Sequence, residues 1–596
     1  MIRKSFEIIL GFTCILLMTC SVSFGQANNA ISYELTIEGL DDPKFDQIRS
    51  TFDQSSILIT QKSDPLISIS NLRSRGEADL AVMESILRAR GYYNSEISRK
   101  TVRDGEQFNI TISVSPGPLY SYGTIQLNFE GASPTEDLKA KIGNVLKIKS
   151  GDAADANYVI AAEANILNIL PKLGYPFTRD VDSEFIVDHQ KRVMNVSFTL
   201  NTGARQRMGA VKLNGLDAVD NDFIRGFITW PQNSYYDQTF VDDLRNRIIK
   251  SNLFSGVAID IAPASNNRAD ITVNHIEAKH RTIGTSIGYS TAEGVGGEVS
   301  WTHRNFMGDG KRLKIIARAS EIEQSLASLV EIPHFKRLDQ TLSFEGVLKR
   351  QDTDAFFAYV VETRAGIERV ITPEIALLAN VDIEYSDVTD TLGNRDFLLV
   401  SFPIGARWDS SDNLLDPNRG LRASFITAPS YGIGEDNFSF LKSEFRASAY
   451  FSLTSEENII LALRTRIGSI TGTENETLPA TSRFFSGGGG SIRGYGFQRV
   501  GPLGTDNNPF GGRSVNEAAA EIRFKFKNNL GFVIFSEGGN VYGDSTPQFN
   551  DFRYAAGVGA RYATGFGPVR FDIAFPLNKR ANDSSFQIYI SLGQAF

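Results

Sequence analysis

The chain has 596 residues, a formal net charge of −8, 11% aromatic residues and 52 glycines. Its acidic balance and the absence of a basic cluster argue against a nucleic-acid partner. Its two cysteines, Cys14 and Cys20, lie in an N-terminal segment that we expect to be removed. Neither a disulfide framework nor zinc–thiolate chemistry is therefore expected in the mature protein.

Residues 1–25 are predicted to be a secretory signal peptide. Two basic residues precede an apolar run from Ile8 to Met18, which is too short to span a bilayer, and a small-residue cleavage site follows it. The segment Leu17–Cys20 also resembles a lipoprotein cleavage box, although the threonine before the cysteine fits that pattern poorly. No other stretch approaches about 18 uninterrupted apolar residues, so no transmembrane helix is expected.

Three weak repeats of about 80 residues follow, at 28–116, 117–205 and 206–279. Each opens with a short alternating strand that ends in glycine, continues into an amphipathic helix and closes with two strands. Pro171 should shorten or kink the second helix near its end. The predicted buried helix faces are Leu80, Met83 and Leu87 in the first repeat, Val159, Ala162, Ile166 and Ile169 in the second, and Phe240, Leu244 and Ile248 in the third.

From residue 280 to 596 the helical period disappears, and segments of about ten residues alternate apolar and polar side chains between turn-forming clusters. A soluble sandwich could show the same alternation. The number of segments, the signal peptide and the final phenylalanine favour a closed membrane barrel, with apolar faces toward lipid and charged faces toward the lumen. Predicted lipid-facing sets are Ala518, Ala520, Ile522, Phe524 and Phe526; Val569, Phe571, Ile573 and Phe575; and Phe586, Ile588, Ile590, Leu592 and Phe596.

Sixteen strands would use about 20 residues each, which suits transmembrane strands of about ten residues. Five strands are predicted after a glycine-rich segment, so this segment becomes the sixth external loop, at 470–515. The last strand is expected to end at the periplasmic face and to pair with the first strand, near 281–290.

The glycine-rich loop holds a cluster of four glycines and then an arginine between small and aromatic residues. Enzyme signals here are poor, because Ser491 fails the G-x-S-x-G pattern and no Lys-Ser/Thr follows the glycines. The histidines lack metal-site spacing as well. No catalytic residue, cofactor or metal is predicted. The residues of this loop motif are Gly487, Gly488, Gly489, Gly490, Ile492, Arg493, Gly494 and Tyr495.

The run from Ile492 to Tyr495 resembles the (V/I)-R-G-(F/Y) signature of the BamA/TamA superfamily of outer-membrane assembly proteins. The repeats look like POTRA domains, and three of them before a barrel is similar to the TamA branch. Segments 304–310, 408–420 and 558–570 resemble further family patterns. The resemblance implies three α+β POTRA-like domains in the periplasm, followed by an all-β 16-stranded barrel in the outer membrane of a Gram-negative bacterium.

In this family the loop folds into the barrel and its arginine meets an acidic residue of the lumen wall. Here Phe535-Ser-Glu537-Gly-Gly539 stands where the family carries F-x-D-x-G, so the resemblance assigns Glu537 as the counter-charge of Arg493, with Asp572 as a weaker second partner. The pair could serve gating or client handling, or it could merely brace a long loop.

The family also implies a lateral gate, at which the first and last strands pair weakly and part for a client strand. Glycines inside strands weaken them, and unpaired edges invite pairing. Gly284 and Gly288 in the first strand, and Gly593 and Phe596 in the last, are the candidate gate residues. The implied partners are outer-membrane lipid, unfolded outer-membrane protein clients and a TamB-type inner-membrane-anchored periplasmic protein.

Two other functions stay open. A two-partner secretion transporter would share the arginine loop, but normally carries two POTRA domains and a plug helix. A passive outer-membrane pore would need neither the repeats nor the loop motif.

Overall fold

The computed structural model describes residues 31–64, 68–105, 107–130, 135–565 and 567–596. The predicted signal peptide, 1–25, lies outside the described residues. The chain forms two compact units. The first contains the first two repeats, and the second contains the barrel together with most of the third repeat.

Each repeat is an α+β unit whose first and third strands lie side by side, with the second strand at the edge of the sheet. In the first repeat β1 pairs with β3 in parallel, and β2 pairs with β3 in antiparallel. The elements are β1 (Ser32–Glu38), α1 (Asp46–Ser55), α2 (Ile57–Thr60), α3 (Ile69–Ala89), β2 (Glu96–Asp104) and β3 (Gln107–Ser115); β4 (Ser121–Glu130), α4 (Glu136–Leu146), α5 (Ala156–Ile169), β5 (Val181–Asp188) and β6 (Val193–Asn201); and β7 (Arg207–Asn214), α6 (Asn221–Arg225), α7 (Gln238–Lys250), β8 (Phe254–Ala264) and β9 (Arg268–Glu277).

The helices cover these sheets with the apolar faces that the 3.6-residue period predicts. Helix α5 ends at Ile169, directly before a 3₁₀ turn that contains Pro171. In α7 the fully buried side chains are Val241, Leu244 and Ile248, and the half-buried Phe240 ring lies against Trp230.

No helix among the described residues is long and apolar enough to cross a membrane.

The remaining strands close into one antiparallel barrel in chain order. The segments β17 and β18 are two halves of a single strand, because both pair with β16 on one side and β19 on the other. Pro403 has no N–H for the ladder and interrupts this strand, so the described residues form a barrel of sixteen strands. They are β10 (Arg281–Ser290), β11 (Gly294–Phe306), β12 (Lys311–Ser320), β13 (Glu323–Pro333), β14 (Gln340–Asp352), β15 (Phe357–Val370), β16 (Ile375–Asp390), β17 (Gly393–Ser401), β18 (Ile404–Asp409), β19 (Gly420–Ile433), β20 (Phe438–Ser452), β21 (Ile459–Thr471), β22 (Ser514–Lys525), β23 (Leu530–Tyr542), β24 (Arg553–Thr564), β25 (Gly567–Pro576) and β26 (Gln587–Leu592).

The last strand is shorter than its alternation predicts. It ends at Leu592, and Gly593 follows with φ of +90°, a left-handed conformation that strongly favours glycine. Phe596 therefore does not face lipid, and it is not part of the last strand. Its ring lies within the barrel, near the guanidinium groups of Arg464 and Arg523.

The third repeat joins the barrel through a chain of hydrogen bonds that begins at Glu277. The Glu277 carboxylate accepts from the backbone N–H groups of three successive residues, 217–219. The Ala218 carbonyl then accepts from the Asn305 amide at 2.7 Å, and Asn305 Oδ1 accepts from the Gly310 N–H in the turn between β11 and β12. One carboxylate thus shapes the loop that meets this turn.

Burial acts to raise the pKa of Glu277, but three backbone N–H groups and nearby His280 outweigh it and hold that pKa below its ordinary value. A carboxyl with a depressed pKa stabilises the folded state above its unfolded pKa of about 4.3 and loses this effect as pH falls through the folded value.

We expect Glu277→Ala to accelerate amide hydrogen exchange at 217–219, because these N–H groups lose their acceptor. In the unaltered chain the same amides should lose protection as pH falls below about 4, after correction for intrinsic exchange. Hydrogen-exchange mass spectrometry measures both effects. Asp270→Ala is the matched control, since that carboxylate accepts from the Ala210 N–H in the same repeat. Equal acceleration at 217–219 in both variants would contradict the assignment.

Candidate functional site

The connection between β21 and β22, residues 472–513, is folded into the barrel. Its apolar side chains join rings from the barrel wall in one buried cluster, which includes Phe356, Phe438, Leu478 and Phe484. Arg483, in the first half of the loop, forms a buried ion pair with Asp390, and its Nη2 lies 3.1 Å from Asp390 Oδ2. The loop is therefore packed against the inner wall of the barrel.

Arg493 lies at the centre of this loop and is 0% exposed. Its guanidinium contacts three carboxylates on three strands: Glu521 at 2.5 Å, Glu537 at 2.7 Å and Asp572 at 2.7 Å. The backbone N–H of Arg493 donates to the second Glu537 oxygen at 2.6 Å. The structure thus brings both predicted counter-charges to Arg493 and adds Glu521, which the motif comparison missed.

The same guanidinium lies on the face of Phe535, with its carbon 3.4 Å from the ring centre. A desolvated contact of this kind contributes about 2 kcal/mol. Phe535 and Glu537 lie two residues apart in β23, so both side chains point into the lumen. This strand therefore supplies both the ring and a carboxylate that contact Arg493.

Three more buried arginines surround these carboxylates. Arg523 lies 3.0 Å from Glu521, Arg561 donates to Asp572, and Arg570 lies 3.7 Å from Asp572. The resulting arginine cluster contains four guanidinium groups and three carboxylates, and we use this name for Arg493, Arg523, Arg561, Arg570, Glu521, Glu537 and Asp572.

The residues that flank Arg493 hold its backbone against the wall. Gly494 has φ of +96°, and a Cβ at this position would lie 3.1 Å from the Phe575 carbonyl carbon. Tyr495 is buried, and its hydroxyl donates to the Tyr554 carbonyl and the Asn578 side chain. Ile492 is fully buried in the same small apolar cluster.

The glycines before Arg493 allow close backbone contacts within the loop and between the loop and the β10–β11 hairpin. A Cβ on Gly487 would meet the Gly496 carbonyl oxygen at 2.7 Å. The Gly489 N–H donates to Glu293 Oε1 at 2.9 Å, and the Gly490 carbonyl accepts from Arg464. Gly488 has φ of +102°.

The barrel closes where β10 meets β26, and we name this junction the seam. Within the described residues, β10 pairs with β26 only at Tyr289–Ile590 and Ser290–Tyr589. By contrast, β10 pairs with β11 along its whole length. The edge of β10 over 281–288, which includes Gly284 and Gly288, therefore has no ladder partner in β26.

The loop contacts both sides of this seam. On the β10 side, the Gly489 N–H donates to Glu293, which lies in the turn between β10 and β11. On the β26 side, the Gly494 N–H donates to the Tyr589 hydroxyl at 3.2 Å. The segment that carries Arg493 therefore connects the first hairpin and the last strand across the seam.

Comparison with known proteins identifies this architecture. The Omp85 superfamily domain matches residues 305–596. The outer membrane protein assembly factor BamA of Neorickettsia risticii is 22% identical over 540 residues, which cover 86% of this chain and 71% of that protein. The BamA of Neisseria meningitidis serogroup B is 20% identical over 586 residues, covering 87% and 72%.

A solved structure agrees in fold. BamA from Haemophilus ducreyi lacking POTRA domains 1-3 has a TM-score of 0.67 at 15% identity, covering 79% of this chain and 100% of that one. The chain thus carries an Omp85 superfamily domain. The predicted fold of POTRA-like repeats followed by a 16-stranded barrel is confirmed, as is the outer-membrane location.

In this Omp85 protein, the contacts that sequence reasoning missed come mainly from residues outside the loop. Glu521 is one of the alternating charged residues of β22. The pattern therefore predicted that its side chain points into the lumen, but not that it contacts Arg493. No sequence motif marks Glu293 or Tyr589, which are distinguished only by their positions beside the seam. Among the described residues, no group of three or more His, Cys, Asp or Glu side chains could hold a metal ion.

We expect Arg493→Ala to lower the free energy of unfolding of the barrel by about 3–5 kcal/mol, because it leaves buried carboxylates without their central cation. Urea unfolding in detergent micelles, followed by tryptophan fluorescence, measures the change. Arg318→Ala is the matched control. Its partner Glu298 lies on the barrel wall, but the Arg318 side chain is 55% exposed, so the loss should stay below about 1 kcal/mol. Equal losses in the two variants would contradict a special role for the cluster.

Proposed function

We propose that this Omp85 protein is an outer-membrane protein assembly factor that helps β-barrel or autotransporter clients enter the membrane. The observation that carries the proposal is the short seam, with a long unpaired strand edge beside it. The names of the BamA relatives support the same general role.

The unpaired edge of β10 is suited to receiving a client strand. Its backbone N–H and C=O groups over 281–288 can form main-chain hydrogen bonds with an incoming strand that need little particular sequence. Ile283 and Ile287 are 71% and 77% exposed on this edge. They would pack beside apolar side chains of a client on the lipid-facing side.

The loop would help to hold the seam, together with direct hydrogen bonds of Thr291 with Ile588 and Gln587 in the last strand. Its bonds to Glu293 and Tyr589 are single hydrogen bonds donated by the backbone N–H groups of Gly489 and Gly494. The bond to the Glu293 carboxylate contributes about 1.5–3 kcal/mol in net terms and the bond to the Tyr589 hydroxyl about 1 kcal/mol. Arg493 is held far more strongly, because three carboxylates surround it. The seam contacts can therefore break while the loop stays anchored in the lumen.

A passive pore is less well supported. Apolar side chains of the loop pack with rings of the barrel wall in one buried cluster, which opposes an open water-filled channel at this position. A two-partner secretion transporter would use the same kind of barrel, so a partner experiment must distinguish it.

The TamA-like role is the finer part of the proposal and depends on the number of repeats. Three small sheets precede the barrel in the described chain. In each sheet the second strand lies at an edge, where a partner segment can add to it. We propose that a TamB-type, inner-membrane-anchored periplasmic protein binds these repeats.

The seam can be tested by locking it with a disulfide. Tyr289 and Ile590 are cross-strand partners on the lipid-facing side, and partner residues of a β-ladder lie within disulfide reach. We expect Tyr289→Cys with Ile590→Cys to abolish client assembly under oxidising conditions and to regain it after reduction. The measurement is the folded fraction of a radiolabelled client in proteoliposomes.

The matched control places the second cysteine on the other side of β10. Tyr289 also pairs with Val295 in the first hairpin, so Tyr289→Cys with Val295→Cys forms a disulfide that does not cross the seam. This variant should keep full activity when oxidised. Normal client assembly by the oxidised seam variant would refute the proposed function.

The partner is tested by crosslinking the tagged chain in intact cells and identifying captured proteins by mass spectrometry. Recovery of a large inner-membrane-anchored protein, lost when residues 28–115 are deleted, is the expected result. A deletion variant that still captures this protein would contradict binding at the first repeat. Recovery of one secreted exoprotein instead would replace the TamA-like role with that of a two-partner transporter.

A further inference from the structure

An exposed tyrosine on the first compact unit is contacted by two arginines. This unit includes residues 232–239 and 263–269 together with the first two repeats. The guanidinium carbon of Arg205 lies 3.7 Å from the Tyr235 ring centre, and that of Arg207 lies 4.5 Å from it. The ring is 43% exposed. Since both cations contact one exposed ring, a single ligand segment can reach both of them from solvent.

Arg205 is held in place by the 3₁₀ turn that follows the helix α5. Its Nε donates to the Leu173 carbonyl at 3.0 Å. The next residue, Gly174, has no side chain, and a Cβ at this position would lie 2.8 Å from the Arg205 Cγ. The turn thus leaves room for the arginine stem, which lies between Gly174 and the Tyr235 ring. The position of this guanidinium group is therefore fixed before any ligand binds.

A third arginine is brought to the same place by Asn233. The Asn233 carbonyl accepts from Arg207 Nη1, and its side-chain oxygen accepts from Arg268 Nη2 at 2.6 Å. Arg268 Nη1 donates to the Met208 carbonyl at 3.3 Å. Asn233 has φ of +63°, in the left-handed region that asparagine enters more readily than most residues. One asparagine therefore connects two guanidinium groups beside Tyr235. We name Arg205, Arg207, Arg268 and Tyr235 the tyrosine patch.

The three arginines of the tyrosine patch have no acidic partner within the described part of the chain. Their hydrogen bonds end on carbonyl and amide oxygens, which carry no formal charge. Other arginines of the same unit are neutralised, as Arg90 is by Asp155 at 3.0 Å. Three positive charges held close together repel one another. An anionic ligand would relieve this repulsion and accept further hydrogen bonds.

Two of these arginines retain a free pair of donors. Over the described residues, Arg205 keeps Nη1 and Nη2, and Arg207 keeps Nε and Nη2. Each pair has the fork geometry that binds both oxygens of one carboxylate. Arg268 keeps only Nε, because both of its Nη groups donate to oxygens of the chain. The tyrosine patch therefore offers places for two separate carboxylates, which is more than the single charged group of one phosphate would fill.

The spacing of the two forks indicates how these carboxylates are arranged. Arg207 begins β7 and lies opposite Tyr235 in an antiparallel bridge, so the backbone here is extended. Arg205 lies two residues earlier and contacts the same ring. In an extended peptide the side chains of one face recur every two residues, at intervals of about 7 Å. Acidic residues at alternate positions of an extended ligand therefore match the two arginines, whereas adjacent acidic residues point to opposite sides.

We propose that the tyrosine patch binds an acidic segment of a periplasmic partner protein, in extended conformation and with carboxylates on alternate residues. Arg205 and Arg207 each bind one carboxylate through a fork, and Arg268 adds positive charge beside them. The Tyr235 ring keeps the first two guanidinium groups in position. This site involves neither the seam nor the edge strands β2, β5 and β8, so it is independent of the proposed assembly function.

Peptide binding to the purified full-length chain in detergent tests this proposal. The probe is a fluorescently labelled peptide, Thr-Val-Asp-Val-Asp-Val-Thr, and binding is measured by fluorescence anisotropy at low ionic strength. The rearranged peptide Thr-Val-Val-Asp-Asp-Val-Thr has the same composition and charge, but its acidic residues are adjacent. We expect the first peptide to bind at least about five-fold more tightly. Equal affinity of the two peptides would overturn the proposal, and this comparison needs no variant of the chain.

An isosteric variant tests the position of the site. Asn233→Asp keeps both acceptor oxygens and places a carboxylate among the three arginines, so it should weaken binding of the first peptide at least about five-fold. The matched control is Asn109→Asp, which adds the same charge on an exposed position of β3 in the first repeat. This control should leave the affinity unchanged. Equal losses in the two variants would show a general charge effect and contradict the site.

The fork contact has a test of its own. Arg205→Lys retains the positive charge but replaces the planar pair of donors by one ammonium group. We expect it to weaken binding of the alternating peptide several-fold while leaving the affinity for the rearranged peptide unchanged. An equal change for both peptides would contradict recognition of the spacing by Arg205.

Inorganic phosphate and vesicles of an anionic phospholipid test another class of ligand. At matched ionic strength, phosphate should displace the labelled peptide no better than chloride does, and anionic vesicles no better than zwitterionic vesicles. Displacement by phosphate or by anionic vesicles that is lost in Asn233→Asp would assign the tyrosine patch to a phosphate-bearing ligand and overturn the proposal.

Discussion

The structure depends on one buried cation in the lumen. Arg493 is fully enclosed, and a guanidinium in such a position is tolerable only when carboxylates and hydrogen-bond acceptors replace the water it has lost. Glu521, Glu537 and Asp572 supply these groups from three separate strands. The 472–513 loop must therefore enter the barrel, and strands β22, β23 and β25 must stay in register for the carboxylates to converge.

This constraint explains the composition of the loop. A chain that crosses a lumen of fixed width has to approach the wall closely, and Gly494 does so at a backbone geometry that other residues rarely adopt. The apolar side chains on either side of the arginine then fill the remaining space, so that water cannot reach the charges. Burial of the Arg493 cation thus depends on both charge pairing and apolar packing.

Much of this arrangement could be predicted from residues alone. Strict alternation along β22 and β23 identified the lumen faces, because a strand repeats every two residues, and the motif comparison identified Arg493 and Glu537. The third carboxylate and the Glu293 contact could not be predicted, since they depend on where a long loop lies in space. The direction of Phe596 was predicted wrongly because a single left-handed glycine ends the alternation, and φ is not visible in a pattern of apolar residues.

The relative strengths of the loop's contacts with the barrel wall and with the seam determine which of these contacts can break. Separating Arg493 from its carboxylates would leave several charges unpaired in a region shielded from solvent. Breaking the contacts at the seam costs neutral or singly charged hydrogen bonds that water can replace. The first and last strands share two register pairs, while every other pair of neighbouring strands in the barrel is joined over a longer ladder. Opening at any other junction would break a longer ladder, and opening with the loop withdrawn would expose buried charge. Separation of β10 from β26 around a loop that remains in place would therefore break the shortest ladder among the described barrel strands.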